Sequence, residues 1–107
     1  MPPLPELRCI VTTFEKEEQA AEVIRTLVRE RLIACGTFIH GARSIYIWQE
    51  EMHDSEEIVA ILKTTRPDEA ASRLAELHPY EVPEILVMTP ESVNEAYLGW
   101  ARDSANA

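Results

Sequence analysis

The sequence predicts an α+β domain in which four strands form one sheet and three helices pack around it. Two segments carry apolar residues at spacings of three and four, which is the period of an amphipathic helix. Four other segments are rich in β-branched and apolar residues, as strands are. The segments follow one another in the order β-α-β-β-α-β, with a further helix at the end. This order predicts a ferredoxin-like sandwich with a C-terminal helix.

The first strand and the first helix are the clearest elements. The run Cys9-Ile10-Val11-Thr12-Thr13 is short, apolar and β-branched, which indicates a buried strand. A helix is predicted from Glu15 to about Leu32, with acidic residues at its start and Arg29 and Arg31 at its end, as the helix dipole favours. The proline-rich residues 1–7 are predicted to be a flexible tail, so that a single domain covers residues 8–107.

A long hairpin is predicted to follow the first helix. Strand segments at 35–39 and 42–48 are separated by His40-Gly41, where a glycine can bend or bulge the chain. The polar and charged residues 50–57 are predicted to form a solvated turn. An apolar strand then resumes over residues 58–64.

The second half contains a helix, a strand and a final helix. Pro67 at a first-turn position opens the second helix, which must end before Pro79. The fourth strand is predicted over residues 82–89, and Asn94 is the predicted N-cap of the last helix.

The predicted strands are apolar on both faces of the sheet. The handedness of crossover connections sends both helices to one face, and the other face is then left without cover from its own chain. One face would carry Ile45, Ile47, Ile58, Ala60 and Leu62; the other would carry Tyr46, Trp48, Val59 and Ile61. Because an exposed apolar face of that size promotes aggregation, we expect a closed homo-oligomer in which hairpin edges pair between subunits.

Composition excludes several classes of partner. The 107 residues, 46% of them hydrophobic, suffice for a core without metal or disulfide support. A formal net charge of -9 repels phosphate backbones and anionic lipids, so we expect neither nucleic acid nor a membrane as a partner. The first residues do not resemble a secretory signal, and Cys9 and Cys35 lack the CxxC spacing, so a cytoplasmic protein with reduced thiols is expected.

Five collinear blocks of the sequence resemble the CutA divalent-cation tolerance family. They are Glu30-Arg31-Leu32-Ile33-Ala34-Cys35, Ser44-Ile45-Tyr46-Ile47-Trp48, Lys63-Thr64-Thr65, His78-Pro79-Tyr80-Glu81-Val82-Pro83-Glu84-Ile85 and Tyr97-Leu98-Gly99-Trp100. The resemblance covers nearly the whole chain. It implies a ferredoxin-like homotrimer, similar to PII-type signalling trimers, whose long hairpin reaches a neighbouring subunit. It also implies tolerance of copper and other divalent cations.

The sequence departs from the family pattern in three places. Gly36-Thr37 stands where the family usually has Val-Asn, and Ile47 stands where a basic residue is common. At the hairpin tip, Gln49-Glu50-Glu51-Met52 replaces a Glu-Gly-Lys turn, which removes a glycine and a positive charge.

Cys35, His78, Glu81 and Glu84 are the predicted metal ligands. A Cys35 thiolate suits copper, although a free thiol is also a small buried apolar group, which is the role predicted for Cys9. His78, Glu81 and Glu84 form a ligand set for a borderline divalent cation, whereas His78 alone could also cap the second helix. No cofactor is predicted to be obligatory.

A pocket between subunits is the second predicted site. Its members would be Tyr46, Trp48, Tyr80 and Lys63. Three aromatic walls and a charged group could hold a small anion or metabolite. The same aromatics could instead anchor an oligomer interface, and Lys63 could pair with Glu57 or Glu84.

Two functions follow from these residues and from the resemblance. The first is a non-enzymatic homotrimer that binds copper or other divalent ions. The alternative is a PII-like regulatory trimer that binds a small ligand and signals to a partner protein. An enzyme is disfavoured, because the sequence has no Ser-His-Asp order, no phosphate-binding glycine loop and no defined carboxylate pair.

Overall fold

The computed structural model describes residues 5–105, which form seven elements in the predicted order. They are β1 (Arg8–Phe14), α1 (Glu17–Arg29), β2 (Cys35–Trp48), β3 (Glu51–Thr64), α2 (Pro67–Leu77), β4 (Leu86–Met88) and α3 (Glu95–Ala105). The four strands pair antiparallel in the order β2-β3-β1-β4. The strand β3 thus lies between β1 and β2, which is the split βαβ arrangement. The predicted α+β class is confirmed.

The main core lies between α1, α2 and one face of the sheet. Ile10 and Phe14 of β1 and Leu62 of β3 are fully buried against Leu27 of α1 and Leu74 of α2. These strand residues lie on one face, because cross-strand partners and alternate residues share a face of the sheet. Both crossover helices therefore pack on the same side, as the handedness rule predicts.

The β2–β3 hairpin is longer and more regular than predicted. Gln49 and Glu50 form a two-residue turn with φ of 50° and 68°, the left-handed conformation of primed hairpin turns. The prediction of a solvated turn over residues 50–57 is wrong, because residues 51–57 pair with 42–48 as part of β3. Arg43 of β2 donates two hydrogen bonds to Asp54 of β3, at 3.1 and 2.6 Å, and this charge pairing suits an exposed strand pair.

The predicted break at His40-Gly41 is a β-bulge. The register between β2 and β3 shifts between Ile39 and Ala42, and Gly41 has a φ of 85°. Glycine tolerates this conformation without steric cost, which explains why the bulge lies here. The bulge exchanges the two faces of β2. The odd-numbered residues 35–39 before it and the even-numbered residues 42–48 after it lie on the same face of the sheet.

The helix ends follow local chemistry. The helix α1 ends at Arg29, earlier than the predicted Leu32, because Arg31 adopts a φ of 61° and turns the chain out of the helix. The helix α2 begins at Pro67 and ends before Pro79 as predicted. The predicted cap of α3 is confirmed, since the Tyr97 N–H donates to Asn94 Oδ1 at 2.7 Å.

The strand β4 covers only Leu86–Met88, not the predicted residues 82–89. Pro83 lacks an N–H and Pro90 closes the other side, so the ladder with β1 is confined to the residues between them. The segment 78–85 is irregular and carries the predicted family signature.

The helix α3 covers part of the second face of the sheet, which corrects the prediction that this chain leaves that face bare. Ala101 of α3 packs with Leu7 and Ala34, and the Tyr97 hydroxyl contacts Cys35 Sγ at 3.4 Å. Leu7 was assigned to the tail, but it is only 4% exposed. The domain therefore starts before residue 8; residues 1–4 of the predicted tail lie outside the described residues.

Apolar side chains remain exposed at both edges of the sheet. Near the hairpin tip they are Ile45, Ile47 and Met52; near the opposite edge they are Val82, Leu86, Val87 and Met88. Among the helices of residues 5–105, none combines the length and the apolar character needed to cross a bilayer. The predicted homo-oligomer is compatible with these exposed edges and stays a prediction.

Candidate functional site

Two adjoining cavities lie beside the hairpin, and we call them together the Tyr46–Tyr80 groove. The first has a volume of about 230 Å³ and is lined by Tyr46, Trp48, Tyr80, Glu81 and Val82. The second has a volume of about 310 Å³ and is lined by Glu15, Tyr46, Ser55, Glu56, Glu57 and Tyr80. Tyr46 and Tyr80 belong to both cavities. One chain thus brings together three of the four predicted pocket residues.

The hairpin places Tyr46 and Trp48 side by side. They are alternate residues of β2, so they point to the same face of the strand pair. His53 lies opposite Tyr46 on β3, and the two rings stack with their centres 5.3 Å apart. This stack fixes the Tyr46 ring as a wall of the groove.

Tyr80 reaches the groove from the irregular segment after α2 and contacts a buried carboxylate. Its hydroxyl donates to Glu57 Oε2 at 2.7 Å. Burial raises the pKa of Tyr80, and the hydrogen bond to Glu57 and the charge of Glu57 raise it further, so the phenol remains protonated. The hydroxyl therefore acts as a neutral donor to Glu57.

Glu57 is the most buried carboxyl side chain of the groove. It is 8% exposed and lies opposite Ala42, directly beyond the bulge. Across residues 5–105 it forms no ion pair, and Tyr80 is its hydrogen-bond donor. Glu57 thus has a neutral hydrogen-bond donor and no cationic partner within the described residues.

His78 lies next to the groove but is fully engaged in hydrogen bonds. Its Nε2 lies 2.8 Å from the Thr13 carbonyl and 3.1 Å from Thr12 Oγ1, and its Nδ1 accepts from the Tyr80 N–H at 3.1 Å. The ring also stacks on Phe14, with centres 4.5 Å apart. This pattern requires the neutral Nε2–H tautomer. Burial lowers the pKa of His78, which keeps the ring neutral, although the Thr13 carbonyl and Glu57 oppose this shift.

Cys35 lies on the other face of the sheet from His78. It pairs with Lys63 in the ladder, whereas Thr12, which contacts His78, pairs with the buried Ala60. The Cys35 thiol is half-buried, and its sulfur lies 3.4 Å from the Tyr97 hydroxyl. Burial raises the pKa of Tyr97 to about 12, and the hydrogen bond with Cys35 contributes to this shift.

Cys9 is also a free thiol, and it is only half-buried, whereas a core position was predicted for it. It lies opposite Lys63 on one side and Met88 on the other. Cys9 therefore occupies the same face as Cys35, with Lys63 on the strand between them.

The four predicted metal ligands do not meet within one chain. Glu81 lines the aromatic cavity, and Glu84 is exposed outside both cavities. Ligation by His78 would require one of its hydrogen bonds to break. In the described range, 5–105, no three His, Cys, Asp or Glu side chains are arranged to hold a metal ion. The metal site thus stays a prediction, which a second subunit would have to complete.

Lys63 is remote from the groove of its own chain. It lies ten residues along β3 from His53, about 33 Å at the rise per residue of a strand. Its ammonium group donates to Thr37 Oγ1 at 3.0 Å. The expected pairing with Glu57 or Glu84 is therefore wrong for a single chain: Glu57 bonds Tyr80 instead.

The sequence analysis did not assign Glu15, Ser55, Glu56 and Glu57 to the pocket. Glu57 carried a signal, because it is an acidic residue directly before the buried run that starts at Ile58. Strand alternation places Glu57 on the same face of β3 as Val59 and Ile61, but its hydrogen bond with Tyr80, 23 residues away, is not readable from the linear pattern.

The fold defines the class of protein: a single-domain α+β protein with a split βαβ sheet and a long protruding hairpin. A family model described as "CutA1 divalent ion tolerance protein" matches residues 8–104. The chain belongs to this family, and the resemblance found in the sequence is confirmed.

Individual relatives agree with this assignment. The divalent-cation tolerance protein CutA of Pyrococcus horikoshii is 42% identical over 93 residues, which cover 85% of this chain and 90% of the relative. The divalent-cation tolerance protein CutA of Thermus thermophilus is 37% identical over 97 residues, which cover 89% of this chain and 94% of the relative. The crystal structure of CutA1 from Ehrlichia chaffeensis superposes with a TM-score of 0.91 at 28% identity, covering 99% of this chain and all of the other.

Proposed function

We propose that the protein is a non-enzymatic, cytoplasmic homotrimer that binds divalent metal ions, copper among them, and takes part in the response to them. Membership of the divalent ion tolerance family is the observation that carries this proposal. The net charge of -9 supports it, because an acidic surface raises the local concentration of cations. Two free thiols are compatible with the reducing cytoplasm.

The trimer is supported by the two sheet edges that have no partner strand among residues 5–105. The strand β2 is a 14-residue edge strand next to exposed apolar side chains, and the short strand β4 forms the other edge. Different edges that pair head to tail around an axis produce a closed ring. Such a ring would also carry residues from one chain towards another, which is how Lys63 could reach a neighbouring groove.

We expect a molecular mass of three times the 12.2 kDa of one chain. Size-exclusion chromatography with light scattering measures this mass. Ile47→Asp places a charge on a residue that is 69% exposed beside the apolar Met52, so it should shift the protein towards monomers. Ser72→Asp on the exposed side of α2 is the matched control and should leave the mass unchanged. A monomeric wild type at micromolar concentration would disprove the trimer.

Calorimetric titration with Cu²⁺ and Zn²⁺ tests metal binding by the assembled protein. We expect Cys35→Ser to weaken copper binding at least about tenfold, because it removes a soft thiolate ligand. Glu81→Gln and Glu84→Gln test the carboxylates, and His78→Gln tests the imidazole without removing its hydrogen-bonding capacity. Glu91→Gln, an exposed acid outside the groove, controls for net charge. Equal affinity in wild type and in all four variants would reject this ligand set.

A second candidate function is a regulatory trimer that binds a small ligand in the Tyr46–Tyr80 groove and signals to a partner protein. The observation that favours it is the groove itself, in which three aromatic rings border two adjoining cavities. The two functions separate when the titration is repeated with a chelator present. A metal tolerance protein loses its ligand under this condition, whereas a small-ligand regulator retains it.

A further inference from the structure

We propose that the Tyr46–Tyr80 groove binds a linear aliphatic diamine or polyamine, with one ammonium group held in each of its two cavities. The inference rests on the second candidate function and adds the chemical class of the ligand. Three features of the groove carry it: its aromatic walls, its buried carboxylate and its division into two cavities that share Tyr46 and Tyr80.

The aromatic walls favour a cation. Tyr46, Trp48 and Tyr80 surround the first cavity, and the face of an aromatic ring attracts an ammonium group. The Tyr80 hydroxyl donates a hydrogen bond to Glu57, which holds this ring in place between the two cavities. Glu81 borders the same cavity and adds a negative charge. This arrangement of aromatic walls with a nearby carboxylate suits an alkylammonium ion.

The second cavity supplies the charge for the other end of the ligand. Glu15, Glu56 and Glu57 line it together with the Ser55 hydroxyl. Glu57 is 8% exposed and has no ion-pair partner among residues 5–105. Because a buried carboxylate without a counter-ion is costly, an ammonium group at this position would remove that cost. The Tyr80 hydroxyl donates to Glu57 Oε2, so the buried carboxylate of the second cavity is in direct contact with an aromatic wall that both cavities share.

The two cavities share two of their lining residues, an arrangement that a linear dication would fit. Tyr46 and Tyr80 line both cavities, so a methylene chain that connects two ammonium groups would pass these two rings. Within one chain, no Lys, Arg or His lines either cavity, so a counter-charge for an anionic ligand would have to come from a neighbouring subunit. Within residues 5–105 of one chain, no three ligating side chains are arranged around one point, so the groove of a single chain does not by itself hold a bare metal ion.

Calorimetric titration of the wild-type protein, with a chelator present, tests the proposal. The probes are 1,4-diaminobutane and spermidine, and the matched compounds are butylamine, 1,4-butanediol and succinate. We expect the diamine to bind at least about tenfold more tightly than butylamine, and the diol and succinate not to bind. The affinity should fall as salt is added, because charge attraction contributes to it.

Variants locate the binding. Glu57→Gln keeps the side-chain shape and an acceptor for Tyr80 while it removes the charge, and it should weaken diamine binding about tenfold or more. Glu81 is exposed, so the Glu81→Gln substitution should not disturb the fold. It should weaken diamine binding a few-fold. Trp48→Ala removes one wall and should also weaken it. Glu91→Gln, with the same change in net charge, should bind as the wild type does.

The outcomes distinguish this proposal from the function on which it rests. Binding of the diol or of succinate with no binding of the diamine would overturn the diamine assignment and leave a small-ligand groove. Equal loss of binding in Glu57→Gln and Glu91→Gln would show attraction to net charge only and would also overturn it. If none of these compounds binds, the diamine assignment fails; if a wider metabolite panel also fails to bind, the small-ligand function fails with it.

Discussion

Gly36→Val is expected to lower the free energy of unfolding by about 3 kcal/mol, at the upper end of the usual cost of overpacking a core. A Cβ atom at Gly36 would lie 2.8 Å from Ile24 Cγ2 and 2.9 Å from Ile24 Cγ1. These atoms belong to the branched base of a buried side chain of α1, which cannot swing aside. Gly36 lies opposite the buried Leu62 on β3, so the added methyl groups would enter the core. Urea denaturation at one fixed protein concentration measures the change.

A double-mutant cycle with Ile24→Ala identifies the cause of this cost. Ile24→Ala alone should lower the free energy of unfolding by about 2–5 kcal/mol, because it leaves a cavity next to Gly36. In the double variant the valine should occupy part of that cavity, so the two losses should fall short of their sum by more than about 1 kcal/mol. Additive losses would refute steric conflict with Ile24 as the mechanism.

The same contact accounts for a departure from the family pattern. Gly36 stands where the family resemblance leads us to expect valine, and Ile24 of α1 lies over it. One large side chain from α1 therefore occupies the space that the strand residue would fill. The sum of the two side-chain volumes, and not either residue alone, determines whether this part of the core is well packed.

Much of the fold was predictable because its signals are local. The periodicity of α1, the proline that opens α2 and the asparagine that caps α3 each act within one turn of helix. The position of the hairpin turn was not predictable, because the charged residues 51–57 belong to a strand whose polar side chains face solvent. Side-chain pairs across the two strands, such as Arg43 with Asp54, stabilise this part of β3. The composition of the segment alone, in contrast, indicates a turn.

The candidate site was only partly predictable, because part of it depends on contacts between residues that are far apart in the sequence. Tyr46, Trp48 and Tyr80 were identified as a group because they are large aromatics in the family blocks. The contact between Glu57 and Tyr80 joins residues 23 positions apart, and the hydrogen bonds of His78 Nε2 depend on Thr12 and Thr13 of β1. These features arise from contacts between residues far apart in the sequence, which a linear pattern does not encode.

His78→Ala is expected to lower the free energy of unfolding by about 3 kcal/mol near neutral pH. The variant leaves the Thr13 carbonyl and the Tyr80 N–H without their partners, and each unsatisfied buried group costs about 1–3 kcal/mol. It also removes the ring that stacks on the fully buried Phe14. His40→Ala is the matched control, because His40 is exposed and its loss should change the free energy by less than about 0.5 kcal/mol.

The pH dependence of this loss separates the buried neutral imidazole from a merely space-filling ring. Burial lowers the pKa of His78 in the folded protein, so the unfolded chain takes up the proton first as pH falls below about 6.5. The stabilisation from His78 is therefore fully present above that pH and decreases as pH falls towards the folded pKa. The difference between wild type and His78→Ala should accordingly be smaller at about pH 5 than at about pH 8. A difference that stays constant across this range would refute the hydrogen-bonded neutral tautomer as the source of the stability.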